Sequence, residues 1–320
     1  MFSIVIPNYN GRQLLESCLG SIKSNLVDEI IVVDNGSTDG SVKYLKKQGA
    51  KLHKFRSYRH SDPPTGGEES LSKEILRRFA PQDDKNVRPV KLIQNHKNLG
   101  FAKAVNQGIQ IAKNDYVLVL NNDVRLDGKY FDAIHQAIKE NPKLGACCGL
   151  VWNWSGQSIE STGLEFEVKG KSALIRNDHP KGIVFGAPAS AVAYYKPALL
   201  KAGLFDEDFF AYLEDVDLSI RLNSRGFKTL YVPRAIAYHR GGATSDQLGN
   251  LRYRMTARNW IFIFLKHYPV STFLKHLPAI VVEQSKNLLA VKQPSDILWV
   301  IKEVITKCPK ILKKRQPSSF

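Results

Sequence analysis

Three groups of side chains in this sequence carry the functional groups that metal binding and proton transfer require. The first is Asp123, which directly follows the apolar stretch 116–120 and two asparagines. A carboxylate in that position is a hard oxygen ligand of the kind that Mg²⁺ and Mn²⁺ prefer. The second is His239, close to two glycines that permit a close backbone approach, and it could complete the coordination of the same cation. A polar turn and a histidine satisfied at a strand end are the plainer interpretations of these two positions.

The third group, Glu214-Asp215, provides a candidate general base. A free aspartate titrates near ~3.9, so Asp215 needs a site that raises its pKa before it can accept a proton efficiently. The neighbouring Glu214 can raise it by repulsion between like charges, whereas a nearby cation would lower it. Glu214 could orient Asp215, contact an acceptor hydroxyl, or simply favour the start of a helix. Asp217 has a structural explanation, because Arg221 lies four residues further along the same predicted helix and can pair with it.

The elements that position these side chains alternate regularly through the first half of the chain. Apolar runs at 3–7, 29–33, 90–94 and 116–120 predict buried strands, and each is followed by apolar residues at helical spacing. Such βα units predict an α/β fold with a doubly wound, mostly parallel sheet and helices on both faces. Because the carboxyl ends of parallel strands meet at one edge, polar residues there predict a ligand cleft. Those polar residues are Asn8 and Asn10, Asp34 and Asn35, Asn95 and Asn98, and Asn122 and Asp123.

Two stretches depart from this alternation. Residues 51–88 contain adjacent prolines, adjacent glycines and many charges, which predicts a surface insertion, with an acceptor lid as the functional alternative. Beyond residue 142 the pattern is less regular, with strand-like runs at 145–152, 183–195, 227–232 and 235–238. We therefore expect one domain at 1–250, with a nucleotide-binding half at 1–125 and an acceptor half at 126–250, followed by a basic amphipathic helical extension at 251–320.

The extension at 251–320 carries most of the positive charge of the chain. The net charge is +16, and this segment alone has 13 Lys and Arg against 3 Asp and Glu. Prolines separate short amphipathic segments there, in which bulky apolar residues stand beside basic ones. That composition fits an anionic membrane surface, and it fits equally well helices that pack on the preceding domain. No apolar run approaches the ~20 residues that span a bilayer.

Several other classes of protein lack support in the sequence. No Gly-x-Gly-x-x-Gly follows the first predicted strand, and no Walker motif, Gly-x-Ser-x-Gly elbow or nucleic-acid module occurs. The 4 cysteines have no metal-ligand spacing. Since no signal peptide is recognisable at the N-terminus, we expect reduced thiols and a cytoplasmic location. The other histidines have no setting comparable to that of His239.

Six ordered motifs in residues 1–245 resemble the inverting glycosyltransferases of family 2, which have the GT-A fold, and within them the rhamnosyltransferase-like branch. The motifs are Ser3 to Asn10, Val33 to Gly40, Asn98 to Ala102 with Asn106, Leu120 to Asp123, Gly203 to Glu207, and Glu214 to Leu218. The resemblance implies a Rossmann-like central sheet that binds a sugar nucleotide at its carboxyl edge.

The resemblance also implies a nucleotide site along the ends of the first strands. Asp34 corresponds to the position that binds the base. The other implied nucleotide-binding positions are Pro7, Asn8, Tyr9, Asn10, Asn35, Asn98, Gly100, Asn106, Asn121 and Asn122.

The metal and base positions follow from the same comparison of motifs. The family's Asp-x-Asp motif corresponds to residues 121–123, where Asn stands first, so Asp123 is left as the carboxylate ligand for Mn²⁺ or Mg²⁺. His239 matches the family's downstream metal ligand. Asp215 matches its general base, with Glu214 beside it as the second catalytic position.

The activity implied is an inverting transfer of a sugar, with rhamnose as one candidate, from a UDP- or dTDP-sugar to a hydroxyl of a surface-glycan or lipid-linked acceptor. A single, metal-assisted displacement would use Asp215 as base, and we find no carboxylate nucleophile for the double displacement of a retaining enzyme. The extension would place the protein at the inner face of the cell membrane. The alternatives are an inactive family member that binds a sugar nucleotide or scaffolds an assembly, and a nucleotidyltransferase that releases pyrophosphate.

Overall fold

The computed structural model describes residues 1–53, 55, 89–142, 144–241, 250–291 and 293–316. The predicted insertion at 51–88 lies outside the described residues, except for 51–53 and Phe55. Within the described part, a single large sheet runs through the molecule and helices cover it on both sides.

The strands come from all parts of the chain before residue 240. They are β1 (Phe2–Asn8), β2 (Val27–Asp34), β3 (Lys51–Leu52), β4 (Val90–Gln94), β5 (Tyr116–Leu120), β6 (Val124–Leu126), β7 (Leu144–Asn153), β8 (Ile159–Ser161), β9 (Leu164–Glu167), β10 (Lys171–Leu174), β11 (Gly182–Val184), β12 (Ala191–Tyr195) and β13 (Lys228–His239). In the described part, β9 and β10 form a separate hairpin, and the other eleven strands form the central sheet.

The order of strands across the central sheet is β11-β13-β7-β12-β5-β1-β2-β4-β3, with β6 paired to β13 and β8 paired to β7. The run from β5 to β3 is parallel throughout. In contrast, β12 is antiparallel to both of its neighbours, β5 and β7. The four parallel strands predicted from the apolar runs are therefore confirmed as β1, β2, β4 and β5, whereas the short edge strand β3 was not predicted.

The helices connect and cover these strands. They are α1 (Arg12–Ser21), α2 (Ser41–Lys47), α3 (Phe101–Ile111), α4 (Tyr130–Glu140), α5 (Lys196–Ala202), α6 (Glu214–Ser224), α7 (Leu251–His267), α8 (Val270–Leu289) and α9 (Pro294–Lys313). A short 3₁₀ turn at Glu207–Phe209 precedes α6.

The two faces of the sheet carry separate hydrophobic cores. Successive side chains of a strand point to opposite faces, so Ile4 and Ile6 of β1 join one core while Val5 joins the other. Leu15 of α1 packs in the first core, and Val105 of α3 packs in the second. The predicted doubly wound arrangement, with helices on both faces, is confirmed.

The parallel register brings the polar strand ends together. Asn8 at the end of β1 lies opposite Asp34 at the end of β2, and Asp34 lies opposite Gln94 at the end of β4. The residues that follow these strands therefore start at one edge of the sheet, as the sequence predicts.

The strand predicted at 183–195 is wrong in its extent. The structure has two strands there, β11 and β12, separated by residues 185–190. Pro188 in this connection has no N–H to donate to a strand ladder. Gly186 approaches α6 so closely that a β-carbon would lie 2.1 Å from the Ser219 hydroxyl oxygen. The connection therefore leaves the sheet and borders the cleft described below.

The extension beyond residue 250 is more regular than the sequence predicts. Pro269 and Pro294 stand at the starts of α8 and α9, as expected of prolines that separate segments. Pro278 and Pro309 lie inside these helices, so the expectation is wrong for those two positions. Helix α7 is largely buried, and Trp260 and Phe262 share a hydrophobic cluster with Phe209. Of the two alternatives for the extension, a membrane surface or packing on the preceding domain, α7 therefore shows the packing. Among the described residues, no helix combines the length and apolarity needed to cross a bilayer.

Candidate active site

A cleft with a volume of about 490 Å³ opens at the carboxyl edge of β1, β2 and β5. The predicted functional residues that line it are Pro7, Asn8, Tyr9, Asn35, Asn98, Gly100, Asn121, Asn122, Asp123, Glu214, Asp215 and His239. The fold thus brings the predicted nucleotide, metal and base positions to one cavity, although they are far apart in the chain.

Asp34 does not line the cleft, but it contacts a residue that does. Its carboxylate is buried and accepts a hydrogen bond of 3.0 Å from the side-chain amide of Asn8. The Asn8 oxygen in turn accepts one of 2.7 Å from the amide of Asn122. Gly11 leaves room for this relay, because a β-carbon there would lie 2.2 Å from the Asn122 amide nitrogen. The relay fixes the orientation of two amides that face the cleft.

Two other predicted nucleotide residues also lie outside the cleft lining. Asn10 donates its backbone N–H to the Ser37 hydroxyl at 2.9 Å, and so ties together the turns after β1 and β2. The Asn106 side chain in α3 exchanges two hydrogen bonds with the backbone of Phe205, of 2.8 Å and 3.0 Å. In this structure both asparagines hold neighbouring segments in place, and a nucleotide contact remains a prediction for each.

A third set of contacts shapes the side of the cleft next to α3. The Asn35 amide donates to the Asn98 side-chain oxygen at 3.0 Å and to the Gly100 carbonyl at 3.1 Å. Gly100 has a φ of +89°, and a β-carbon there would lie 2.6 Å from the ring of Phe210. Glycine is therefore required on both counts. The close approach brings the segment before α6 against the predicted nucleotide side of the cleft.

Asp123 and His239 meet in the cleft, as predicted. The Nε2 atom of His239 lies 3.1 Å from an Asp123 carboxylate oxygen, and its Nδ1 lies 2.6 Å from Glu160 of β8. Burial alone would lower the pKa of His239, but the hydrogen bonds to Asp123 and Glu160 raise it to about 10. At neutral pH the imidazolium therefore donates to both carboxylates.

Within this trio, the Asp123–His239 pair has the chemistry to contribute two ligands to a divalent cation. Two neighbouring ligands of an octahedral cation with bonds of ~2.1 Å stand about 3 Å apart, close to the 3.1 Å between the Asp123 oxygen and His239 Nε2. Glu160 on Nδ1 would orient the ring, and Nε2 would bind a metal after losing the proton that it carries in the metal-free site. No cluster of three or more His, Cys, Asp or Glu suited to a metal occurs within the described residues. The remaining ligands would therefore be water or the oxygens of a bound diphosphate.

The predicted base lines the same cleft, at the first turn of α6. Burial raises the pKa of Asp215 to about 6, against the hydrogen bonds from the N–H groups of Val216 and Ala189, which lower it. Burial and the charge of Asp215 raise the pKa of Glu214 well above its usual range. Of the two carboxyl groups, Asp215 is therefore the one that loses its proton more readily, and Glu214 is the one that holds it more tightly.

Asp217 has the structural role that its spacing predicts, in a larger network. It pairs with Arg221 at 2.6 Å, and it also accepts from Lys266 at 2.5 Å and from His267 at 2.8 Å. All four side chains are buried. Burial alone would raise the pKa of Asp217, but these cationic partners hold it well below its usual range. The interaction with α7 could not be foreseen, because nothing local in the sequence pairs residues 217 and 266.

Several residues of the cleft were missed by the sequence analysis. Glu160 has no motif around it and lies on a strand of only three residues. Arg252 and Thr256 of α7 also line the cleft, and Arg252 is the one Lys or Arg side chain among its described lining residues. The charge count of the extension gave no sign that one of these cations faces the cleft.

A doubly wound sheet with a carboxylate–histidine pair and a buried pair of carboxyl groups at its carboxyl edge is the arrangement expected of a GT-A glycosyltransferase. Comparison with known families agrees. The chain matches the model named "Glycosyl transferase family 2" over residues 3–63 and 66–196, and it belongs to that family. The predicted glycosyltransferase class and fold are thereby confirmed.

Two characterised relatives are similar in sequence. One is an N-acetylglucosaminyl-diphospho-decaprenol L-rhamnosyltransferase of Mycobacterium tuberculosis, 29% identical over 211 residues, a match that covers 56% of this chain and 68% of that protein. The other is a poly-beta-1,6-N-acetyl-D-glucosamine synthase of Staphylococcus aureus, 28% identical over 211 residues. That match covers 64% of this chain and less than half, 47%, of the synthase.

Among solved structures, the fold is similar to that of GalNAc-T7, which was crystallised with UDP, GalNAc and Mn²⁺. The superposition has a TM-score of 0.57 at 13% sequence identity and covers 97% of this chain and 57% of that one. At this identity the similarity supports the GT-A fold and leaves the donor and acceptor open.

Proposed function

We propose that this glycosyltransferase inverts the anomeric centre of its donor in a single displacement, with Asp215 as general base. The observation that carries the proposal is the composition of the cleft. Asp215 at the start of α6 and the Asp123–His239 pair beside β5 and β13 line the same cavity, together with the predicted nucleotide positions. A base and a site for a departing diphosphate are the two parts that such a displacement needs.

Each of these side chains would have a distinct task. Asp215 takes the proton of the acceptor hydroxyl while that oxygen bonds to the anomeric carbon and the bond to the diphosphate breaks. Burial raises the pKa of Glu214, and in its protonated form this side chain can donate a hydrogen bond to the acceptor or to Asp215. A divalent cation, when bound by Asp123 and His239, would supply positive charge to the departing diphosphate.

The donor that we propose is a UDP- or dTDP-sugar, with rhamnose as the sugar to test first, and the acceptor is a lipid-linked or surface glycan. The similarity to a rhamnosyltransferase that acts on a diphospho-decaprenol supports both choices. The crystal structure of GalNAc-T7 with UDP and Mn²⁺ supports a nucleotide diphosphate with a divalent cation.

The deciding experiment is a thermal-shift screen of sugar nucleotides with Mn²⁺ or Mg²⁺, followed by an assay for nucleotide release. We expect a UDP- or dTDP-sugar to raise the melting temperature, and to do so much less after chelation. Released nucleotide diphosphate in the presence of an acceptor would support transfer, whereas pyrophosphate would indicate a nucleotidyltransferase. Binding without any release would favour the inactive family member. Turnover that is indifferent to chelation would reject the metal roles of Asp123 and His239.

The pH profile of turnover should follow the ionisation of Asp215. A base must be deprotonated to act, and burial raises the pKa of Asp215 to about 6. With donor, acceptor and metal at saturation, kcat should be constant above pH ~7 and fall about tenfold per pH unit well below the pKa. A profile that stays flat down to pH ~5 would contradict the assignment.

We also propose that the outer faces of α8 and α9 bind an anionic membrane surface. In α9, Leu298, Ile301, Ile305 and Leu312 stand along one side of the helix at spacings of three, four and seven, with exposed fractions of 68%, 49%, 69% and 43%. Residues 270–320 contain 9 Lys and Arg against 3 Asp and Glu. An apolar stripe with basic flanks is the pattern of a helix that lies in a bilayer interface.

Replacing Leu298, Ile301 and Ile305 together by Ser should weaken binding to anionic vesicles at least about tenfold, because three aliphatic side chains no longer enter the interface. A sedimentation assay with phosphatidylserine vesicles at low and high salt measures this. Ile183→Ser, which changes an exposed isoleucine on β11, is the matched control and should bind like the wild type. Equal binding by the triple variant would contradict the membrane proposal.

A further inference from the structure

The segment directly before Glu214 has an unusual backbone. Phe210, Tyr212 and Leu213 have φ values of 65°, 68° and 63°. The left-handed region is unfavourable for residues that carry a β-carbon, and a cluster of such residues persists only where its surroundings hold it in place. The residues that hold this segment therefore influence where α6 begins, and α6 begins with the proposed base pair.

Asn259 of α7 bonds to this segment at three carbonyls. Its side-chain nitrogen donates to the backbone carbonyls of Phe209, Ala211 and Tyr212, at 3.1, 2.9 and 2.6 Å. Asn259 has an exposed fraction of 0%, so water does not compete for these bonds. The two N–H bonds of this buried amide therefore serve the carbonyls of Ala211 and Tyr212, while the Phe209 carbonyl also accepts from Arg258 and from the N–H of Ala211.

Arg258, the neighbour of Asn259, holds the start of the same segment. Its Nη2 donates to the carbonyls of Asp208 and Phe209, at 3.0 and 2.8 Å. Its Nη1 pairs with Glu303 of α9 at 3.0 Å. The exposed fraction of Arg258 is 1%, so this guanidinium lies in the interior of the protein. Helix α7, which lies beyond the part of the chain that matches the family model, therefore holds the backbone of residues 208–212 in place.

The held segment contacts both sides of the cleft. The Phe210 carbonyl accepts a hydrogen bond of 3.2 Å from the N–H of Ala102 in α3, beside Gly100. At its other end, the Leu213 carbonyl accepts one of 2.9 Å from the N–H of Asp217 in the first turn of α6. A shift of the segment would therefore move Asp215 relative to the predicted nucleotide positions.

We propose that Arg258 and Asn259 are positioning residues, which hold the backbone of residues 208–213 so that Asp215 points at the reacting atoms. The inference rests on the proposed role of Asp215 as the base. Arg258 and Asn259 act through the backbone and touch no substrate. Both side chains donate hydrogen bonds to backbone carbonyls, so an apolar side chain of similar shape could not take over their role.

The test is Asn259→Ala, with kcat and the dissociation constant for nucleotide diphosphate measured separately. We expect kcat to fall about tenfold to a hundredfold, since small displacements of a catalytic group have effects of that size. The dissociation constant should change by less than about threefold, because the nucleotide side of the cleft keeps its own amide network. A kcat within threefold of the wild type would overturn the proposal.

Asn223→Ala is the matched control. Asn223 lies in α6 and donates its amide to the carbonyls of Phe185 and Ser219, at 2.7 and 2.9 Å, away from the 208–213 segment. Its loss should lower the melting temperature and leave kcat within about threefold. If both variants lose kcat in proportion to their loss of stability, Asn259 is merely structural and the proposal fails.

Arg258→Lys keeps the test available if Asn259→Ala does not fold. It retains the charge and loses the forked geometry, so it should reproduce the fall in kcat at a smaller size. Amide hydrogen exchange of residues 209–216 provides a readout without turnover, and it should be at least about tenfold faster in Asn259→Ala but unchanged in Asn223→Ala. An unchanged exchange rate of residues 209–216 in Asn259→Ala would show that Asn259 does not hold this segment in place. A wild type that releases no nucleotide would reject the proposed function instead.

Discussion

Asp215→Asn should reduce the rate of sugar transfer by about a thousandfold or more and leave nucleotide binding largely intact. General-base catalysis contributes about 10² to 10⁴ to such rates, and an amide cannot accept the proton of the acceptor hydroxyl. The substitution preserves shape, and the amide oxygen can still accept the hydrogen bond of 2.8 Å that the Val216 N–H donates to Asp215. Single-turnover assays with saturating donor, together with calorimetric titration of the nucleotide diphosphate, would measure the two effects.

Glu214→Gln is the control for this prediction. If Glu214 is already neutral at working pH, a glutamine reproduces its charge and most of its hydrogen bonding. The variant should then lose no more than about tenfold in rate. Retention of a tenth or more of the activity in Asp215→Asn, or a larger loss in Glu214→Gln, would exclude Asp215 as the base.

Asp217→Asn should have the largest effect on stability that we expect from a single substitution. The buried carboxylate neutralises Arg221 and Lys266 and accepts a hydrogen bond from His267. An uncharged amide would leave those cations in the interior with too little negative charge, and breaking a buried ion pair costs roughly 3–5 kcal/mol. Urea denaturation, followed by fluorescence, should show a midpoint shifted strongly downwards.

The matched substitution for Asp217→Asn is Glu167→Gln, which removes a carboxylate from ion pairs with Lys169 and Lys171 at the surface. Exposed pairs of this kind contribute little, so its midpoint should stay close to that of the wild type. Equal midpoints for the two variants would show that the buried network does not stabilise the fold.

The sequence predicts the parallel part of the sheet and most of the cleft because both depend on local signals. A strand buried on both faces is a continuous apolar run, and the register of parallel strands then places the following residues, such as Asn8 and Asp34, at one edge. Strand patterns alone do not predict that Asp123 and Asp215 line one cavity, because no local signal relates β5 to α6. That prediction required the resemblance to the family motifs.

The contacts of the extension could not be predicted for a physical reason. An excess of Lys and Arg says how much charge must be balanced, and it does not say where the balancing groups lie. Lys266 and Lys314 are in fact paired with Asp206, at 2.7 and 2.5 Å, and Lys310 is paired with Asp208 at 2.7 Å. Part of the charge that suggested a lipid surface is therefore used inside the molecule, in ion pairs between residues 60 to 108 positions apart in the chain.

These contacts also set the limits within which the protein can be shortened or recombined. A fragment ending at residue 250 would expose the carbonyls that Asn259 covers and would leave Asp206, Asp208 and Asp217 without their α7 and α9 partners. Loss of vesicle binding in such a fragment would therefore say little about membranes. Chimaeras that exchange acceptor preference between relatives should carry residues 206–224, α7 and α9 from the same parent, since ion pairs join these parts of the chain.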